Sequence, residues 1–291
     1  MSRRFELTDA EWEQIKPFLP ATEPRRGGRW RDHRQVLNGI LFRTRTGVPW
    51  RDLPERYGPW RTVYKRFRRW EADGTWHRIE AHLIGTQDTD LHTQIDSTAI
   101  RAHQHAAGAW KRGHRNRTHD APQGIGRSRG GLSTKVHTLA DGNGRNLATA
   151  LTPGQDGDAP LLAVLLGRVR IMGPGAGRPR TRVRGVSADK AYSSRANWEL
   201  LRKKGMKCTI PEREDQKSNR KARGRSGGRP PAFDREAYRD RNRVERLMDR
   251  RKQLRAVATR FDKLASSYRV TVRIADIFIR LRASPDRSRA P

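Results

Sequence analysis

The sequence predicts a mixed α/β fold in two parts: a helical region over residues 1–86 and a region over 87–291 in which strands and helices alternate. Three observations carry the prediction. Apolar residues recur at helical spacing along the first part, HTQIDSTAI and LSTKVHTLA then take on strand character, and a DGNG turn joins LSTKVHTLA to RNLATALTP as a β-hairpin.

In the first part, Thr8 followed by Glu11 has the form of a capping box, with Trp12, Ile15, Phe18 and Leu19 at helical spacing until Pro20. After the Arg/Gly-rich link ATEPRRGGRW, a second helix follows from Val36, Leu37, Ile40 and Leu41 and ends near Gly47; Trp50 to Tyr57 reads as one short helix broken by Gly58-Pro59. Pro59 suits the first position of a third helix, where Trp60, Val63, Phe67 and Trp70 form an apolar stripe and Arg61, Lys65, Arg68 and Arg69 point elsewhere. A helix, a turn and a basic helix is a helix-turn-helix-like arrangement for reading DNA, with Arg61, Lys65 and Arg68 as its phosphate contacts; a small bundle with a solvated charged face fits the same pattern.

In the second part, HTQIDSTAI is a strand ending in polar residues, followed by the hairpin, the helix APLLAVLLGRV, the strand RVRGVSAD, the helix SSRANWELLRKKG closed by glycine, and the short strand KCTIP. EREDQKSNRKARGRSGGRPP is polar, basic and rich in Gly and Pro, which predicts a mobile loop. Helices close the chain, from about Asp234 through Lys263 and from Ser267 to Arg282. Three strands able to pair antiparallel, then helix, strand, helix, strand and a final helix is the element order of a ribonuclease-H-like core, an order that other mixed folds share.

Composition narrows the partner. The 291 residues include 63 Lys and Arg against 31 Asp and Glu, a net charge of +32 that calls for a polyanion. The basic residues are spread over every segment with no amphipathic anchor, which favours nucleic acid over a membrane surface. The single cysteine, Cys208, excludes an internal disulfide and a thiolate zinc site and fits a reducing cytoplasm. MSRRFELTDAEW has no apolar signal-peptide core, and the longest apolar run, LLAVLLG, is far below the roughly 18 residues of a membrane span.

Three carboxylates stand where phosphoryl-transfer chemistry would use them: Asp96 at the end of the first strand, Asp189 at the end of the fourth, and Glu245 within the C-terminal helix. In a ribonuclease-H-like sheet the first and fourth strands are neighbours and the last helix crosses them, so the three could converge on two Mg²⁺ ions, which take oxygen ligands. Each acid also has a local explanation: Asp96 pairing with Arg101, Asp189 capping the next helix, Glu245 bridging to Arg241 one turn away. Tyr238, Arg241, Glu245 and Lys252, at offsets of 0, 3, 7 and 14 on a helix, fall within about 60° of one another, while Val244, Leu247, Met248 and Leu254 gather on a packing face. Asp249 is the rival carboxylate on the same stripe.

Those four residues at that spacing match the Tyr-Arg-Glu-Lys signature of bacterial insertion-sequence transposases of the DDE type. IDSTAIRAHQHAAGA, GRSRGGLSTKVH, ALTPGQ, ADKAYSS and RNRVERLMDRRKQLRAVATRFDKLA are similar to the corresponding stretches of insertion sequence family five, and LTDAEWEQIKPFLP with GVPWRDLPERYGPWRTVYKRFRRW resembles the N-terminal domain that accompanies them. The resemblance implies a DNA-binding domain over 1–86 and a ribonuclease-H-like catalytic domain over 87–291 in which Asp96, Asp189 and Glu245 form the metal-binding catalytic triad. Tyr238, Arg241 and Lys252 would hold the transposon end. It further implies two Mg²⁺ ions, replaceable by Mn²⁺, cleavage by water at terminal inverted repeats, attack of the freed 3′-hydroxyl on target DNA, and a homodimer or higher oligomer on nucleoid DNA in the cytoplasm. One departure is plain: Asp189 and Glu245 are only 56 positions apart, without the long β-rich insertion some relatives carry there.

Other residues invite weaker readings. His103, His105, His114 and His119 fit no metal-ligand spacing and suit loop contacts to DNA or solvent; His137 suits strand packing or an approach to the metal site; Lys190 and Tyr192 suit substrate contact or the turn after Asp189. Gly130-Gly131 and Gly142/Gly144 are turn formers without a phosphate-loop pattern, so ATP is not implied. Two other functions share the basic composition: a non-catalytic, sequence-specific DNA-binding regulator derived from a transposase, and a basic RNA-binding or structural protein.

Overall fold

The computed structural model describes residues 5–23, 30–108, 123–173 and 177–283, so His114 and His119 lie outside the described residues. Helix α1 (Asp9–Ile15) starts on the expected capping box, with the Thr8 side chain accepting the Glu11 N–H and the Glu11 carboxylate accepting the Thr8 N–H. Helix α2 (His33–Thr46) ends at Gly47, whose φ of 73° is open to glycine at little cost. Residues 50–57 are not one helix. They make two 3-10 turns, Trp50–Asp52 and Glu55–Tyr57, because Leu53 and Pro54 between them are extended. Helix α3 (Trp60–Ala72) buries Val63, Phe67 and Trp70 as the stripe predicts. A further helix, α4 (Thr75–Thr86), which the sequence reading did not separate, turns off α3 at Gly74, φ 76°.

The sheet is built from β1 (His92–Ala102), β2 (Gly126–Ser128), β3 (Gly131–Ala140), β4 (Asn146–Pro153), β5 (Gly185–Ala188), β6 (Lys207–Thr209) and β7 (Thr259–Arg260). Strand β3 pairs antiparallel with β1, β2 and β4, whereas β5 and β7 run parallel to β1, and β6 runs parallel to β5. The first long strand and the strand before Asp189 are thus neighbours. Between them in sequence lies helix α5 (Leu161–Arg168), and helix α6 (Arg195–Lys203) follows, capped by Ser194.

Residues 212–231 are not a loop throughout. Helix α7 (Glu214–Ala222) and a 3-10 turn (Gly224–Gly227) occupy them, with no residue buried. Polar tethers hold α7 in place: Gln216 bonds both the hydroxyl and the carbonyl of Ser193, and Arg220 grips Glu212 with two hydrogen bonds. The helix expected from 234 to 263 is also divided, into α8 (Arg235–Arg239), α9 (Asn242–Lys252) and α10 (Arg255–Ala258), ahead of β7 and α11 (Ala265–Leu281). Between α8 and α9 the chain winds tighter, through i→i−3 bonds from Arg241 N to Tyr238 O and from Val244 N to Arg241 O. At Leu254 the backbone becomes extended.

Two apolar clusters cover the two faces of the sheet. On one face Ile95 and Leu139 pack with Leu162, Leu165 and Leu166 of α5 and Leu201 of α6. On the other, Ile100 and Val136 join Val272, Ile274, Ala275 and Ile277 of α11 to Val36, Ile40, Phe67, Trp70 and Trp76 of the N-terminal helices. The N-terminal helices and the sheet therefore share α11 as a common core element.

Candidate active site

Strand register brings the first two acids together. Ile95 pairs with Ala188 across the parallel strands, so Asp96 and Asp189, each one residue further on, stand side by side where β5 ends. Asp96 itself lies in the middle of β1, paired with Thr138, and not at the strand's end as the sequence suggests, because β1 continues to Ala102 against β3. Adjacent strands lie about 4.8 Å apart. Ile95 is buried in the α5-side core, and strand alternation turns Asp96 to the opposite face, towards α9.

Helix α9 delivers Glu245 in its first turn. Val244, Leu247 and Met248 are buried and press the helix onto the sheet. Arg251 pins it further: its guanidinium meets both carboxylate oxygens of Asp276 on α11 at 2.7 and 2.8 Å, and it also donates to Thr138 and to Thr149. This depth fixes where the exposed first turn of α9 lies.

Arg241 links the acids. Its guanidinium hydrogen-bonds Glu245, lies 3.7 Å from Asp96 Oδ2 and sits 5.6 Å from the Tyr238 ring centroid. Burial works against the Arg241 charge, but Tyr238, Glu245 and Asp96 outweigh it and hold its pKa above the usual arginine value. Burial also raises the Asp96 carboxyl, to about 6; the Ser97 N–H and Arg241 pull it down, and the negative charges of Asp189 and Glu245 push it up. All three acids thus belong to one electrostatic unit. The side chain of Asp189 also accepts the Ala191 N–H at 2.9 Å, capping the 3-10 turn Lys190–Tyr192.

Two local explanations therefore hold alongside the convergence: Asp189 is a cap, and Glu245 pairs with Arg241. The third does not, since the ionic partner of Asp96 is Arg241, not Arg101. Tyr238 stands on α8, not on the helix that carries Glu245 and Lys252; the tight turn at 240–241 breaks the single stripe, and Arg241 spans the break. Lys252 is exposed in the last turn of α9, and Asp249 is exposed one turn past Glu245. Arg61 and Lys65 are exposed on α3, but Arg68 turns inward and donates to Ser267 Oγ on α11 at 2.6 Å, so it serves the seam between helices. His103 spends its Nδ1 on the His105 N–H. His137 is buried on the α5 side, Tyr192 is buried in the apolar cluster on that same side, and Lys190 is exposed.

The sequence pattern did not point to Asp158, which follows β4 and accepts a hydrogen bond from Ser97. Its partners lie on distant strands, and nothing in the run GQDGD marks it out.

The donor set that Asp96, Asp189 and Glu245 offer is all carboxylate oxygen, the chemistry of a hard divalent cation, and the upward push on Asp96 is what an added positive charge would relieve. Among the described residues, however, no three His, Cys, Asp or Glu side chains close into a metal cage. The Arg241 guanidinium lies between Asp96 and Glu245, so cation binding by all three acids requires Arg241 to turn aside.

Residues 88–272 match the family model described as "Transposase DDE domain". The chain belongs to the DDE transposases. Residues 7–80 of this DDE transposase match a second model, described as "Putative transposase of IS4/5 family". It is 44% identical over 104 residues to the uncharacterized protein y4sN of Sinorhizobium fredii, covering 35% of this chain and 82% of that one. It is 37% identical over 107 residues to an uncharacterized 16.2 kDa protein of insertion element IS402 of Burkholderia cepacia, covering 33% of this chain and 73% of the other. No solved structure matches. The transposase's mixed sheet with flanking helices is the ribonuclease-H-like fold of the DDE domain, a domain that generally uses divalent metal ions, and transposases act on DNA. Among the described residues no helix of this transposase is long and apolar enough to cross a membrane.

Proposed function

We propose that this transposase binds the terminal inverted repeats of an insertion sequence, cleaves DNA there with water, and joins the freed 3′-hydroxyl to target DNA. Asp96, Asp189 and Glu245 are the catalytic carboxylates and would hold two Mg²⁺ ions, or Mn²⁺ in their place. When bound, such ions stabilise negative charge on the attacking and leaving oxygens of an in-line phosphoryl transfer.

The chain's own residues do the rest. Arg241 and Lys252 grip phosphates of the transposon end, and Tyr238 stacks or hydrogen-bonds beside them. The segment 1–86 serves end recognition, with Arg61 and Lys65 as phosphate contacts, and 87–291 carries the chemistry. A homodimer on DNA brings the two ends together.

The observation that carries this reading is the side-by-side placement of Asp96, in mid-β1, and Asp189, just past the end of the paired strand β5, with Arg241 tying Asp96 to Glu245. Its test is a comparison of D96N, D189N and E245Q with the wild-type chain on a terminal-repeat duplex. Each variant should bind the duplex as the wild type does and lose Mg²⁺-dependent strand cleavage. Cleavage at the wild-type rate by any of the three would overturn the assignment.

A further inference from the structure

A second polar cluster lies on the face of β1 away from Asp96. Ser97 Oγ donates to Asp158 Oδ1 at 2.9 Å. Lys135 Nζ lies 3.1 Å from the same oxygen and donates to the Asp156 carbonyl at 2.6 Å. His137, directly across from Ser97 in the antiparallel register, places Nδ1 3.6 Å from Asp158 and Nε2 2.8 Å from Thr152 Oγ1. The Lys135 and Asp158 side chains are only 16% and 19% exposed, so each charge there needs a partner. Lys135 is the counter-ion of Asp158, because burial lowers the His137 pKa to about 4 and leaves that ring neutral near pH 7.

Ser97 connects this cluster to the catalytic acids. Its hydroxyl is tied to Asp158 on one face, while its backbone N–H donates to Asp96 Oδ1 at 2.8 Å. Tyr192, buried beneath both groups, registers their closeness: after burial, the charges of Asp158, Asp96 and Asp189 all raise its hydroxyl pKa. A serine hydroxyl has a single proton to donate, and Asp158 takes it, which locks the side chain in one rotamer and steadies the peptide whose N–H orients Asp96.

On the function proposed above, we propose that Asp158, with Lys135 as its counter-ion, is a positioning residue that acts through Ser97 to hold the Asp96 carboxylate facing Asp189 and Glu245.

The full-length chain tests this with S97A, S97T, D158N and D96N. Mn²⁺ affinity is measured by calorimetry without DNA, cleavage on a terminal-repeat duplex, and Tm in EDTA. S97A should unfold within a few degrees of wild type, yet bind Mn²⁺ and cleave about tenfold less well, the scale on which partners of metal ligands act. S97T keeps the hydroxyl and should restore both, and D158N should resemble S97A. Wild-type Mn²⁺ affinity and cleavage in S97A would overturn the proposal, as would S97T behaving no better than S97A. If D158N fails to fold, the serine pair decides alone. D96N separates the two levels: if it keeps Mn²⁺ binding and cleavage, the catalytic assignment falls, whereas an inactive D96N beside a wild-type-like S97A removes only the role of Asp158.

Discussion

Asp96 and Asp189 each follow one member of the parallel pair Ile95 and Ala188, so backbone register, not side-chain reach, places them together. Asp189 has a second duty as the cap of the turn at Lys190–Tyr192. Asn caps as well as Asp, whereas Ala forfeits about 0.5–2 kcal/mol. Thermal unfolding should therefore show D189N close to wild type and D189A lower by several degrees, with both inactive. Equal Tm values for the two variants would show that the cap contributes nothing.

Arg241 compensates Asp96 and Glu245 at once, with Glu245 about half exposed. R241Q removes that charge and leaves two acids facing each other across the site. In EDTA the variant should lose on the order of 1 kcal/mol, the modest value expected of a partly exposed pair. Adding Mn²⁺ should recover that loss, by a larger rise in Tm than the wild type shows. Equal Mn²⁺-induced shifts in both proteins would mean that Arg241 does not neutralise the acids.

The Arg251–Asp276 pair is of another kind, both side chains being only 2% exposed. Removing one partner strands a buried charge, so D276A should cost about 3–5 kcal/mol, read as a lower denaturation midpoint in urea. Replacing both, as R251M with D276L, should return much of that loss. A D276A midpoint equal to wild type would contradict the role of this pair in anchoring α9.

Burial raises the Cys208 thiol to about 11, so at pH 8 it is almost wholly protonated in the folded chain. Alkylation by iodoacetamide should be slow in the native state and faster by at least tenfold in urea, where the pKa returns towards about 8.5. Rapid native labelling at pH 8 would place the thiol outside the core edge the structure gives it.

Local signals were legible in the sequence, and long-range ties were not. The Thr8–Glu11 box, the hairpin turn around Gly144 and the helix stop at Gly47 are each written within a few residues, and each appears where expected. The nearness of Asp96 to Asp189 was legible from the order of elements, which makes the first strand and the strand before Asp189 neighbours, but the place of Asp96 in mid-strand and of Glu245 on a helix ahead of the last one was not. Helix α7 could not be read, since it has no apolar face and depends on Gln216 reaching Ser193, 23 positions away. The divided C-terminal helix misled in the other direction: the apolar spacing from Val244 to Leu254 continues unbroken, while the turn at Arg241 and the extended Leu254 answer to the acids and to β7. Asp158 is invisible for the same reason, with Ser97 61 positions away and Lys135 on another strand.

Anomalous scattering from crystals of the chain with a terminal-repeat duplex and Mn²⁺ shows whether Asp96, Asp189 and Glu245 share divalent cations. Manganese should lie about 2.1 Å from carboxylate oxygens of all three acids, with Arg241 turned away from Asp96. Manganese bound elsewhere, with Arg241 still lodged between Asp96 and Glu245, would contradict it.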